Sequence, residues 1–431
     1  MSISSRQLLA VAALVVPVVA ALLFFQADDA SRPSAGPANS VDSAAVVAAQ
    51  IERGKYLALA GNCASCHTVG NDGFMAGGLA FETPFGRIYS TNITPDADTG
   101  IGNWTGEQFL NSMRRGVRPD GEHLYPVFPY TAFTKVTDED VAAIFAYLQS
   151  IPALRHEPPE NELSFPFNQR SLMSVWKAMF FNEGVYEADA AKPAEWNRGA
   201  YMVEALAHCG ACHSPRNFLG AEHPAMAMTG GVYTDTVRSG SLRPWSTPNL
   251  TSAPSGLGLW PLEEAAAYLK TGRNSYVETF GPMNEVILNS TRHLSDGDVA
   301  AMALYLKSLP SIEAGTGSAA QDTVLGMGRT LYNLHCGTCH LPTGLGDEEV
   351  APRLGGGSLV VRASNPASLI NVILDGPEPP DPPLPAKWRK PMEDFRYFLD
   401  DEEIAALASY VRSTWGNTGG KVTAQQVAAQ R

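Results

Sequence analysis

Cys63-Ala64-Ser65-Cys66-His67, Cys209-Gly210-Ala211-Cys212-His213 and Cys336-Gly337-Thr338-Cys339-His340 are three copies of one phrase, C-x-x-C-H. Together they use all six cysteines of the 431-residue chain. C-x-x-C-H is the attachment sequence of a c-type haem. Two thiols three residues apart lie along one edge of a helical turn, within reach of the two vinyl groups of one porphyrin. The next residue presents its imidazole to the iron as proximal ligand. A structural zinc site wants four ligands at close spacing, whereas each cysteine pair here stands more than a hundred residues from the next. A thioredoxin-like pair needs no following histidine, and disulfide stapling belongs to small secreted domains. The reading is therefore three covalently attached haem c groups, with His67, His213 and His340 as iron ligands.

Length sets a soft prior of about three domains, one per haem. The net charge of −13, made more negative by haem propionates, speaks against nucleic acid as a partner. Residues 1–27 read as an N-terminal membrane anchor or signal. A short start with one basic residue, Arg6, leads into the uncharged run Leu8 to Phe25, 18 residues long. That is long for a signal core and just enough for a membrane span. A polar linker, 28–45, follows.

From there a plan repeats. A helix leads into each phrase, with Gly54, Gly199 and Gly328 lying 9, 10 and 8 residues before the first cysteine. A second helix closes each unit. Its apolar positions are Val141, Ile144, Phe145 and Leu148, then Val299, Met302, Ala303 and Leu306, then Ile404, Leu407, Ala408 and Val411. Each set follows i, i+3, i+4, i+7, one face of an amphipathic helix, and Tyr147, Tyr305 and Tyr410 recur at one register. Thr137, Ser295 and Asp400 are N-caps followed by acids, and Pro152 and Pro310 stop the first two helices. The expected organisation is all-α. Unit one is 46–155, a connector with a helical middle is 156–196, and unit two is 197–312. A linker at 313–323, unit three at 324–417 and a polar tail at 418–431 complete the chain. Units one and two are a closer duplication, since Ser90-Thr91-Asn92-Ile93-Thr94 answers Thr247-Pro248-Asn249-Leu250-Thr251. In unit three the proline-dense loop 376–385 reads as extended and rigid.

A histidine-ligated haem takes a second axial group or keeps an open face, and methionine raises the potential for electron transfer. Gly281-Pro282-Met283 and Lys390-Pro391-Met392 lie 70 and 52 residues after His213 and His340. Met283 and Met392 are the expected sixth ligands, whereas Met302 and Met113 sit at apolar helical positions. Unit one has Phe128 in the corresponding loop. Its alternatives are His123, Met75 or Met113, or an open or water-bound iron.

With these residues in view, the chain resembles the triple-haem cytochrome c subunits of bacterial membrane-bound dehydrogenase complexes, which act on alcohols, aldehydes, gluconate or sugars. The likeness runs from about Ala48 to Asn417. It rests on Trp196-Asn197-Arg198-Gly199-Ala200-Tyr201, Cys212-His213-Ser214-Pro215-Arg216-Asn217, Tyr268-Leu269-Lys270-Thr271-Gly272-Arg273, Gly281-Pro282-Met283 and Tyr410-Val411-Arg412-Ser413 with Trp415-Gly416-Asn417. The resemblance implies three tandem cytochrome c-type domains, a large catalytic dehydrogenase subunit as partner, and electron delivery to ubiquinone on the periplasmic side of the inner membrane. Two departures are Phe128, where many relatives carry methionine, and the lack of a C-terminal apolar segment. No nucleotide loop or catalytic constellation accompanies the haem phrases, so no catalytic residue is assigned. The alternatives are a free periplasmic electron carrier to an oxidase, or a haem enzyme using an open first haem.

Overall fold

The structure is a computed structural model that describes residues 43–70, 72–236, 242–313, 315, 317–347, 349–377 and 392–431. It divides into two compact units, Met1–Ala48 and Ala49–Arg431. The first contributes only the start of the helix Ser43–Ala60 to the described residues, and all other elements belong to the second. The apolar run within 1–27 and residues 378–385 of the proline-dense loop lie outside the described residues. Among the described residues no helix is long and apolar enough to cross a membrane.

Three lead helices run over Ser43–Ala60, Ala194–Tyr201 and Asp322–His335. The second widens into a π-type turn over Met202–Leu206, where the Ala207 N–H donates to Met202 O at 2.8 Å. Three closing helices span Asp138–Ser150, Asp296–Ser308 and Asp401–Ser413. Each starts on the expected cap, because the side chains of Thr137, Ser295 and Asp400 accept from the N–H groups of Asp140, Asp298 and Glu403. Those bonds satisfy donors that a helix start leaves orphaned. The predicted apolar faces are buried, except that Phe145 is half-buried.

Lead and closing helices cross at a glycine each time. A Cβ built on Gly54 would lie 1.8 Å from Ala143 O, one on Gly199 2.0 Å from Ala301 O, and one on Gly328 2.2 Å from Ala406 O. The Cβ atoms of Tyr147, Tyr305 and Tyr410 bound the same three crossings. The repeated glycine and tyrosine of the sequence thus meet at one crossing of two backbones.

Units one and two interlock reciprocally. Arg53 forks onto Asp140 within unit one, at 2.8 and 2.5 Å, and Tyr201 of unit two donates to the other Asp140 oxygen at 2.6 Å. Arg198 forks onto Asp298 within unit two, at 2.7 and 2.8 Å, and Tyr56 of unit one donates to it at 2.5 Å. The hydrogen bond from Arg198 lowers the Asp298 carboxyl from its ordinary value, so this pair stays charged at lower pH than a free carboxylate would. Each tie satisfies a carboxylate with three donors, the condition under which burying a charge is tolerable. The registers match, since Arg53 and Arg198 immediately precede the crossing glycines and Tyr56 and Tyr201 follow two residues later. Unit three has Met327 and Thr330 at those places. Its apolar cluster, including Leu331, Tyr332, Leu374 and Leu407, is separate from the one that units one and two share.

Unit three sits on unit two along a polar seam. Ser246 and Ser368 exchange hydrogen bonds of 2.9 and 3.2 Å, Asn371 donates to Pro244 O at 3.0 Å, and Arg243 pairs with Asp375 at 3.0 Å. Trp260 adds its indole N–H to Gly357 O at 2.8 Å.

Two expectations gain detail. The fold is mostly helical, with a few short strands that were not expected. Ala80–Thr83 and Gly86–Tyr89 form an antiparallel hairpin with Glu162–Leu163 added, and Gly231–Thr236 pairs with Leu242–Thr247. The strands of the two hairpins mix β-branched and aromatic residues at short range, and the hairpins start at Ala80 and Gly231, not far beyond His67 and His213. The tail 418–431 is also more than a polar extension. Arg412, almost wholly buried, donates to Val361 O, Ala363 O and Gly419 O, which draws the chain after Trp415 back across its own helix. Val422 and Val427 then enter the core, and Ala424–Ala428 is helical.

Candidate haem sites

Each phrase forms a short helical turn: Cys63–His67, Gly210–His213 capped by Cys209, and Gly337–His340 capped by Cys336. In the last two, the histidine N–H donates to the first cysteine's carbonyl at 2.9 Å. This single turn places two thiols on one edge and an imidazole beside them. All six thiols are unpaired. Burial pushes Cys63, Cys66, Cys209 and Cys336 up to about 12, so they are protonated thiols at neutral pH. Disulfide exchange uses the thiolate, so these thiols are poorly poised for it.

The histidines share one hydrogen-bonding pattern. His67 Nδ1 lies 2.6 Å from Thr91 O, His213 Nδ1 2.9 Å from Pro248 O, and His340 Nδ1 2.8 Å from Pro352 O. A carbonyl only accepts, so Nδ1 carries the proton and Nε2 keeps its lone pair, the tautomer a metal-binding imidazole needs. Burial lowers the pKa of all three, which keeps the rings neutral.

The backbone around each ring is built for this contact. Gly77, Gly230 and Gly346 donate their N–H to the carbonyls of His67, His213 and His340 at 2.7, 2.8 and 3.1 Å. A Cβ on Gly77 would lie 2.4 Å from Thr91 O, the very atom that receives His67, and Gly346 is as tightly placed beside Pro352. These orienting carbonyls and glycines were not singled out from the sequence. The duplication of 90–94 at 247–251 contained the signal, because Thr91 and Pro248 occupy the same place in it.

Met283 opens the helix Met283–Asn289 and is half-buried. The preceding Gly281, at φ +56°, brings its backbone against the Trp245 ring. Trp245 is buried, and its indole N–H has no acceptor among the described residues. An orphaned buried donor beside the expected ligand loop fits a haem, whose propionates are acceptors. Met392 is half-buried against the apolar cluster of unit three, and Phe395, three residues on, packs edge-on to His335 at 5.6 Å. Pro391 lies outside the described residues.

The first two phrases abut. Ser65 donates to Glu285 O at 3.2 Å and receives Asn289 at 2.9 Å, so the helix that begins with Met283 packs on the first phrase. In return Phe133 of unit one packs edge-on to His208, directly before Cys209, at 5.3 Å, and His208 Nε2 lies 3.3 Å from Gly61 O.

Comparison with known proteins gives a consistent set. The family described as cytochrome c matches residues 51–152 and 327–415. The chain is similar to the fructose dehydrogenase cytochrome subunit of Gluconobacter japonicus, with 38% identity over 409 residues covering 88% of this chain and 82% of that one. It is similar to the cytochrome c subunit of an alcohol dehydrogenase (quinone) of Gluconobacter oxydans, with 36% identity over 397 residues covering 88% and 81%. A nicotinate dehydrogenase subunit of Pseudomonas putida is 41% identical over 374 residues, 85% of this chain, and the chain spans 30% of that protein's length.

Proposed function

Because the chain belongs to the cytochrome c subunits of dehydrogenase complexes, we propose that it carries three covalent haems and relays electrons from a catalytic dehydrogenase subunit to ubiquinone. The observation that carries this reading is the threefold imidazole geometry: Nδ1 tied to a carbonyl, Nε2 free, and two unpaired thiols alongside. Each haem, once attached, supplies one-electron chemistry at its iron. Cys63 with Cys66, Cys209 with Cys212 and Cys336 with Cys339 would hold the haems through thioether bonds. His67, His213 and His340 would ligate the iron, joined by Met283 at the second site and Met392 at the third. The abutting first and second phrases favour direct transfer between those two. The reading places the protein on the periplasmic face of the inner membrane, held by residues 1–27.

The test is an alkaline pyridine haemochrome assay on protein matured with haem c. It should give three haems per chain, and Cys336→Ser combined with Cys339→Ser should give two. Two or fewer in the parent chain would overturn the count. Purification in mild detergent should retain a large dehydrogenase subunit and substrate-driven reduction of a quinone analogue. A lone protein inert towards quinone would overturn the relay.

A further inference from the structure

Units one and two can be compared bond by bond, and the comparison answers what stands opposite His67. In unit one Leu124 N–H donates to Gly116 O at 2.8 Å, and in unit two Thr279 N–H donates to Gly272 O at 2.7 Å. Both glycines end helices, Gly106–Arg115 and Leu262–Thr271, in the left-handed conformation. Four residues after each donor come Phe128 and Met283. The residue in the methionine's place is therefore a phenylalanine, which cannot ligate iron.

Each of the three other candidates in unit one has a counterpart at the same place in unit two. Met75 has φ +60°, donates its N–H to Thr68 Oγ1 at 3.1 Å and accepts from Ile93 N–H at 2.9 Å. Met228 repeats this in unit two, with φ +61° and bonds of 3.1 Å to Ser214 and 2.8 Å from Leu250. Unit two has Met283 as well, so the Met75 position is a common piece of core. Met113 lies three residues before Gly116, where unit two has the buried Leu269, three before Gly272. His123 is bridged to Val117 as Glu278 is to Arg273. Its Nδ1 accepts from Lys177 Nζ at 3.0 Å, and that ammonium also donates to Gly116 O at 2.8 Å. The neutral ring then carries its proton on Nε2 and has no lone pair left for iron.

We infer that the haem held by His67 has no sixth ligand from the protein and binds a small neutral diatomic molecule, such as carbon monoxide, on a face closed by Phe128. The half-buried Phe128 ring lies 5.3 Å from that of Phe133 and packs into two apolar clusters. An apolar wall selects neutral ligands over anions, because an unpaired buried anion is costly. The inference rests on the haem attachment proposed above.

Haem counting and ligand binding separate the two ideas. With three haems confirmed by haemochrome, the oxidised protein should show one high-spin ferric signal by EPR. The dithionite-reduced protein should bind one carbon monoxide per three haems. Phe128→Met should abolish both features, add intensity to the red methionine-to-iron charge-transfer band, and raise one midpoint potential. Three haems that are all low-spin and bind no carbon monoxide would overturn the inference. A high-spin signal found only in Met283→Ala and absent from the parent would overturn it equally. Fewer than three haems would instead count against the attachment reading.

Discussion

Gly328→Ala is expected to destabilise the protein by about 3 kcal/mol, whereas Gly326→Ala, two residues earlier in the same helix, is expected to stabilise it by up to about 1 kcal/mol. Both substitutions remove the same helical penalty of glycine. They differ in what the new methyl meets. At 326 nothing lies within 4 Å, while at 328 it would lie 2.2 Å from Ala406 O and 2.6 Å from the Tyr410 Cβ. Neither neighbour is the end of a flexible side chain, so the helices must part, and the third haem phrase follows the lead helix directly. Denaturant unfolding followed by haem absorbance measures both variants. Equal stability of the pair would show that the crossing tolerates a wider approach than its backbone geometry allows.

Asp140→Ala should cost about 3 kcal/mol, since truncating one partner of a buried, hydrogen-bonded charge strands the others. Asp140 is 2% exposed and receives Arg53 and Tyr201. Arg53 reaches solvent, which caps the loss, but the Tyr201 hydroxyl is left without its acceptor. Tyr201→Phe alone should cost about 1 kcal/mol. The double variant should then be less damaging than the sum of the two, because both remove the same bond. Strict additivity in that cycle would mean that the tie across the two units contributes nothing. Asp298→Ala and Tyr56→Phe form the mirror-image cycle.

Local signals revealed the skeleton. The haem phrases, the capped closing helices and their apolar faces are each written within a dozen residues, and periodicity reads them directly. The ties that join units one and two escaped because their partners stand 61 and 242 positions apart. Arg53 and Tyr56 look like ordinary surface residues on a helix until Asp140 and Asp298 are placed beside them. The hairpins were missed for a different reason. Strands of two to six residues carry too few repeats of either period to be told from loop. The tail was misjudged because its polarity hid two valines that Arg412 brings under cover. Phe128 was the informative exception, since its importance was visible only as a missing methionine.

The reciprocal interlock also orders events in time. Tyr56 is made 242 residues before its acceptor Asp298, which at roughly 5–20 residues per second is a delay of about 12–48 s. Throughout that interval the Tyr56 hydroxyl lacks its acceptor in unit two, and the face of the first phrase that the helix Met283–Asn289 will cover stands open. The first attachment site is thus completed only after a segment more than two hundred residues further on has been synthesised.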